Sequence, residues 1–247
     1  MSSGLGEDWE RILEDLRVIA PIYERGNLVL SFGRSPKLRK AAVSSGLPAS
    51  GLFLDVGCGP GSMSMEAKRL NPSLEAVLLD PLPEMLSYAS EQEELVGAHF
   101  VCGVYEYLPF RGGTFDAYLA GFTLRDARDR GNAIKEARRV LCDDGAAVVL
   151  DLGRPDSSAK RAMIAAYWRL LVPALLWLYL GERGRPFRDI YLTVRKLPSN
   201  SQMLSMFGGS FEEVRAEKFL FDGVLMITAS GHLQAVEAGR VSATGLK

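Results

Sequence analysis

Leu52-Phe53-Leu54-Asp55-Val56-Gly57-Cys58-Gly59-Pro60-Gly61-Ser62 decides how the rest of the chain is read. The apolar run Leu52–Val56 predicts a buried parallel strand with one carboxylate, Asp55, near its C-terminal end. The run then breaks into Gly57, Gly59 and Gly61, and a helical pattern follows over 61–70. A strand, a glycine turn and a helix N-terminus in that order let backbone come close to a ligand. Alone the turn is a weak signal, because tight turns need glycine for local reasons.

Outward from this stretch, strand and helix patterns alternate. Strands are expected at 74–80, 98–103, 115–121 and 146–152, and helices at 83–93 and 130–141. Such alternation argues an α/β fold, a parallel sheet with helices on both faces. Right-handed crossovers bring the C-terminal ends of the strands to one edge, where ligands bind. Asp80, Gly103 and Gly121 end their strands and fall on that edge with Gly57. Two more strands, near 211–219 and 221–229, pair as a hairpin across Asp222-Gly223. The expected sheet is therefore seven-stranded and mostly parallel, with an antiparallel C-terminal pair.

Two helices are expected before the first strand. Residues 7–20 place Trp9, Ile12, Leu13, Leu16 and Ile19 on one face, and 36–45 follow Pro36, with 21–33 irregular between them. Residues 1–48 thus read as an N-terminal helical extension. Residues 159–180 form a long apolar helical stretch interrupted by Arg169 and kinked at Pro173. Its length approaches a membrane span, but the buried Arg would cost about 2.5–3.5 kcal/mol to insert. A cap over an apolar pocket within 156–207, plain core packing, a peripheral membrane contact and a homodimer face all stay open for it. The tail from about 235 reads as loosely ordered. No linker is evident, so 1–247 reads as one domain.

Composition is that of an ordinary globular chain of 247 residues, 47% hydrophobic and 24% charged, with net charge −1. No basic patch marks a nucleic-acid partner. Cys58, Cys102 and Cys142 lie far apart, with neither metal spacing nor a disulfide framework. No metal is expected. The acidic start, with Glu7, Asp8 and Glu10, lacks the pattern of a signal peptide, and a cytoplasmic setting is expected.

Asp80 follows the glycine turn by about twenty residues, where a carboxylate accepts both hydroxyls of a ribose. It would equally cap the next helix. A nicotinamide dehydrogenase shares these features, but its glycines run G-x-G-x-x-G, and here they run G-x-G-x-G.

With Leu108-Pro109-Phe110 and Phe115-Asp116 added, the chain resembles the class I S-adenosylmethionine-dependent methyltransferases. More specifically it is similar to the C-methyltransferase family of ubiquinone and menaquinone biosynthesis. The similarity lies in Gly121-Phe122-Thr123-Leu124-Arg125-Asp126, the Glu136–Leu141 helix end, Ala20-Pro21-Ile22-Tyr23 through Asn27, and Ser31-Phe32-Gly33. Thr193-Val194 with Leu197-Pro198 is a weaker match. The resemblance implies a Rossmann-like fold and S-adenosylmethionine as cofactor. It implies contacts to that cofactor from Asp55, Gly57, Cys58, Gly59, Gly61, Asp80, Pro81, Met85, Val104, Tyr105 and Phe122. Asp55 would meet the ammonium end of the cofactor or merely order the glycine turn, and Met85 would pack on adenine or fill core.

The acceptor implied is a small aromatic or prenylated, quinol-like molecule methylated on ring carbon. Asn27, Phe32, Tyr167 and Trp168 would bind it, and Tyr23, Arg125 and Asp126 would act in catalysis. A fixed Arg125 cation favours a phenolate, the ionised form that makes carbon nucleophilic. Guanidinium is a poor base, so water or Asp126 would take the proton. Three positions depart from the family. Val104 replaces a carboxylate that accepts from adenine, leaving backbone, apolar packing or Glu106 to hold it. Asp126 stands for Asn, and Thr228 for a late His. An O- or N-methyltransferase of another small apolar molecule is the main alternative, and a non-catalytic cofactor-binding protein a lesser one.

Overall fold

The structure is a computed structural model and describes residues 4–182 and 190–232. The expected tail from about 235, and residues 183–189 of the 156–207 stretch, lie outside the described residues. The apolar runs form seven strands: β1 (Leu52–Val56), β2 (Glu75–Asp80), β3 (His99–Cys102), β4 (Phe115–Gly121), β5 (Leu141–Leu152), β6 (Phe211–Phe219) and β7 (Val224–His232). Their order across the sheet is β3-β2-β1-β4-β5-β7-β6. The first five are parallel, and β7 runs antiparallel between β5 and β6. The chain winds outward from β1 to β3, then crosses back to β4. The order reverses between β1 and β4, which is where such sheets open a crevice.

Alternation along the strands loads both faces. Leu54, Val56, Leu79, Tyr118 and Val149 pack under α6 (Arg130–Val140) and α9 (Asn200–Gly208). Phe53, Leu78, Leu119 and Val148 pack under α3 (Ser35–Gly46) and α4 (Ser62–Leu70). α5 (Pro83–Ser90) follows β2. Parallel strands buried on both faces need such continuous apolar runs.

Three stretches differ from expectation. Residues 21–33 are not irregular: after α1 (Trp9–Ile19), α2 spans Tyr23–Leu30. Gly26 and Asn27 lower its intrinsic propensity, but Gly26 is buried and α2 packs against α8 (Val172–Leu180), so tertiary contact wins. β5 starts at Leu141 rather than 146, because Leu141 pairs with Phe115 before the register shifts to Ala117–Ala146. The last hairpin turns over four residues, not two, since Phe219 pairs with Val224. Leu220, Phe221 and Asp222 all adopt positive φ there, which is costly for side-chain-bearing residues.

The long apolar stretch is α7 (Ser158–Ala166), a π-helical turn Tyr167–Leu171, and α8. Pro173 lies in the first turn of α8 and has no N–H to give the preceding ladder. The widened turn before it is a common response to such a break. Among the described residues, Ser158–Leu180 is long and apolar enough to cross a membrane by length and composition. Its buried side, Trp168, Val172 and Leu176, packs on Ile19 and Val194.

Gly61 caps α4 at φ 85°, and a Cβ there would stand 2.5 Å from Leu95 Cδ1. Gly61→Ala should therefore cost about 1–3 kcal/mol. Urea unfolding should show a lower midpoint with unchanged slope; an unchanged midpoint would contradict this packing.

Candidate functional site

At the ends of β1 and β2, local hydrogen bonding shapes a cleft. The N–H groups of Gly57 and Cys58 donate to the Leu79 carbonyl at 2.7 and 3.1 Å. Gly59 N donates to Asp80 Oδ2 at 2.8 Å, and Leu82 N to Asp80 Oδ1 at 2.9 Å. Asp80 thus fastens the glycine turn to the following helix. A Cβ built on Gly59 (φ 54°) would come within 4 Å only of Tyr23 Cε1, at 3.9 Å, so backbone is open to the cleft there.

Asp55 is fully buried below the turn. Its Oδ2 accepts from Ser64 N at 3.1 Å and Ser64 Oγ at 2.6 Å, while Oδ1 has no partner. Its place is that of a brace between β1 and α4.

Gly57, Gly59, Asp80, Pro81, Met85, Tyr105, Phe122, Tyr23 and Asp126, all singled out in the sequence, line one cleft. Leu82 and Thr123 complete its walls, and Leu13 and Leu16 of α1 fold over it, leaving about 30 Å³. Asp55, Cys58, Gly61 and Val104 are not among the lining residues. Val104 instead packs with Leu5, Trp9 and Ile12. The Glu106 option for adenine also changes: Oε1 accepts from the backbone N–H of Arg128 at 2.6 Å and of Asp129 at 3.2 Å.

A second, larger cavity of about 270 Å³ lies alongside. Asn27, Phe32, Tyr167 and Trp168 line it, with Leu30, Leu38, Leu152, Met163, Ile164, Phe221 and Val224. Tyr167 donates to the Leu30 carbonyl and its ring lies 5.9 Å from Phe32. The Asn27 amide nitrogen is buried without a partner. Phe122 lines both spaces at φ 60°, a conformation held from outside. Arg39 lies 5.6 Å over its ring and forms a two-pronged pair with Glu24 of α2 at 2.8 and 3.1 Å.

Arg125 lines the larger cavity and Asp126 the smaller. Arg125 pairs with Asp151 at 3.2 Å and with Asp126 at 3.4 Å, and its backbone N–H donates to Asp151 Oδ2 at 2.7 Å. Burial opposes its charge, but Asp126 and Asp151 outweigh this and hold the guanidinium firmly protonated. Burial pushes the carboxyls of Asp55, Asp80 and Asp126 up, each to about 6; for Asp126, Arg125 partly offsets the rise.

A family model described as the ubiE/COQ5 methyltransferase family matches residues 7–230. The chain belongs to that family. It is an S-adenosylmethionine-dependent methyltransferase. The methyltransferase is 32% identical over 206 residues to a demethylmenaquinone methyltransferase of Thermus thermophilus, covering 82% of this chain and 93% of the relative. It is 30% identical over 211 residues to a ubiquinone/menaquinone biosynthesis C-methyltransferase of Geotalea uraniireducens, covering 83% and 89%. A crystal structure of a SAM-dependent methyltransferase from Thermotoga maritima superposes with a TM-score of 0.58 at 19% identity, covering 87% of this chain and 99% of that one. Another, from Aquifex aeolicus, gives 0.53 at 15%, covering 79% and 91%. Both share the fold.

Several site residues of the methyltransferase were not legible in advance. Asp151 had a usable signal, a carboxylate near the C-terminal end of a parallel strand. The Glu24–Arg39 pair had none, because it forms across a loop between two helices. Thr228 faces Ser45 of α3, with hydroxyl oxygens 3.0 Å apart, and lines neither cavity.

Raised carboxyl pKa values make a stability prediction. Asp126 ordinarily ionises near 3.8 and here near 6. Between these values the folded chain holds a proton that the unfolded chain has lost, so stability falls as pH rises from about 4 to 6. Urea unfolding of wild type and Asp126→Asn across this range should show a shallower fall in the variant. Equal slopes would contradict the buried, raised carboxyl.

Proposed function

We propose that this methyltransferase moves a methyl group from S-adenosylmethionine to a ring carbon of a quinol-like, prenylated aromatic acceptor. The observation that carries the reading is the meeting of two cavities at Phe122, with Arg125 and Asp126 in the wall between them. The names of the relatives supply the acceptor class. The smaller cleft suits the cofactor. Asp80 offers carboxylate oxygens to the ribose, Gly59 offers open backbone, and Leu82 and Met85 offer an apolar bed for adenine. Val104 and Glu106 face elsewhere, so adenine is held by apolar packing. The cleft is far smaller than the roughly 300–1,000 Å³ of ligand pockets. α1 and Tyr23 therefore move aside to admit the cofactor and close on it afterwards. Within one domain spanning 1–247, residues 1–48 form this cover and 156–207 cap the acceptor cavity. A cytoplasmic setting and a small-molecule acceptor, without nucleic acid, fit this arrangement.

The bound cofactor supplies a methyl group already activated on a sulfonium, so alignment provides much of the rate. Asn27 donates its unpartnered amide to an acceptor oxygen. Arg125 stabilises the phenolate, since a fixed cation in a water-poor wall lowers the cost of that charge. The phenolate pushes electrons to its ring carbon, which takes the methyl group. The ring then loses the proton on that carbon, and Asp126, ionised above about pH 6, accepts it. Tyr23 and Phe122 keep water from the passage.

Isothermal titration with S-adenosylmethionine should give heat with wild type and little with Asp80→Ala; no heat with wild type would overturn the reading. Removing Arg125 outright strands two buried carboxylates, which is strongly destabilising, so Arg125→Lys is the sharper variant. It should lower turnover of a quinol roughly 10²–10³-fold while cofactor heat persists. Unchanged turnover would overturn the phenolate role of Arg125. Wild-type kcat should rise with pH through about 6, and Asp126→Asn should lose that limb.

A further inference from the structure

The outward face of the π turn and α8 has no partner among the described residues. Leu170, Trp177, Leu178 and Tyr179 are each about two-thirds exposed or more. Phe32 and Phe221 are exposed to a similar degree and also line the larger cavity, so its mouth opens within an apolar rim. Charge gathers in the same segments. Residues 23–40 and 158–182 hold eight Arg and Lys against two Glu, in a chain whose net charge is −1. Of these, Arg25, Arg34, Lys37 and Arg169 are exposed.

We propose that this face docks on a bilayer containing anionic lipid, and that the acceptor enters the larger cavity directly from that bilayer. The proposal rests on the reading that the acceptor carries an apolar chain. Trp177 and Tyr179 are the residue types that settle at headgroup depth. Basic side chains around an apolar face are the signature of a helix lying in the interface, drawn to negative lipid. A spanning arrangement is disfavoured by Arg169, by the broken ladder before Pro173, and by the packing of Trp168, Val172 and Leu176 onto the protein. A helix bound to its own fold on one side and apolar on the other lies flat. The mouth beside Phe32 and Phe221 then faces the acyl region, and a prenylated ring reaches the Arg125 wall without crossing water.

Vesicle flotation tests this with the full chain, with neither cofactor nor acceptor present. Wild type should float with vesicles of phosphatidylcholine and phosphatidylglycerol and much less with phosphatidylcholine alone. The exposed triple variant Trp177→Ser, Leu178→Ser, Tyr179→Ser should bind roughly tenfold more weakly or worse. Arg34→Gln and Arg169→Gln should each weaken binding about fivefold, only on the anionic vesicles. Circular dichroism should show the variants folded. No flotation of wild type, or equal flotation of the triple variant, overturns the proposal. So does a concentration-dependent dimer that the triple variant abolishes, which would give the face to a second copy. Failed flotation with intact turnover of a short-chain quinol overturns the docking alone; flotation without turnover overturns the acceptor reading alone.

Discussion

The structure depends on a buried ion cluster at the sheet's C-terminal edge. Arg125 leaves the end of β4 and is gripped by Asp126 beside it and by Asp151 at the end of β5. Arg130 donates to the Arg125 carbonyl at 2.6 Å, and the charges of Asp151 and Asp126 act on it as well. Burying such a set costs more in desolvation than a set of well-packed apolar side chains would. In the proposed reaction that cost would serve to hold a fixed positive charge next to an apolar cavity. Because Asp151 holds both the backbone and the side chain of Arg125, that charge is positioned by the sheet rather than by a loop.

Most of the fold was legible in the sequence because parallel strands buried on both faces write themselves as plain apolar runs. Leu52–Val56, Glu75–Asp80 and Phe115–Gly121 matched within a residue or two. What escaped was set by contacts between distant segments. α2 exists because α8 and α3 hold it, not because its own residues favour helix. The early start of β5 follows from Phe115 pairing with Leu141 across a register shift. The site followed the same division. Gly57, Gly59 and Asp80 announce themselves through spacing, and Arg125 only through the resemblance of its segment to the family's. Whether Asp55 points at a ligand or braces a helix depends on Ser64, nine residues on, which no spacing rule reveals.

Val104 packs away from the smaller cleft. Where the family carries a polar acceptor, this chain puts an aliphatic side chain against Trp9 and Ile12. Arg128 stacks on Trp9 at 3.5 Å, and Lys196 donates to the Leu5 carbonyl at 3.2 Å. These contacts seat the N-terminal segment whose Leu13 and Leu16 fold over the smaller cleft.

One short helix touches both cavities. Tyr23 and Asn27 lie one turn apart on α2, the first at the smaller cleft and the second at the larger cavity, and Glu24 between them fastens the helix to Arg39. A ligand that orders Tyr23 would therefore bear on Asn27 as well. If donor and acceptor occupy the cavities as proposed, any such coupling is reciprocal: whatever factor the methyl donor adds to the affinity for the acceptor, the acceptor must add to the affinity for the donor. Under the proposed assignment of the two cavities, product departure and the next loading would be joined through the eight residues of α2.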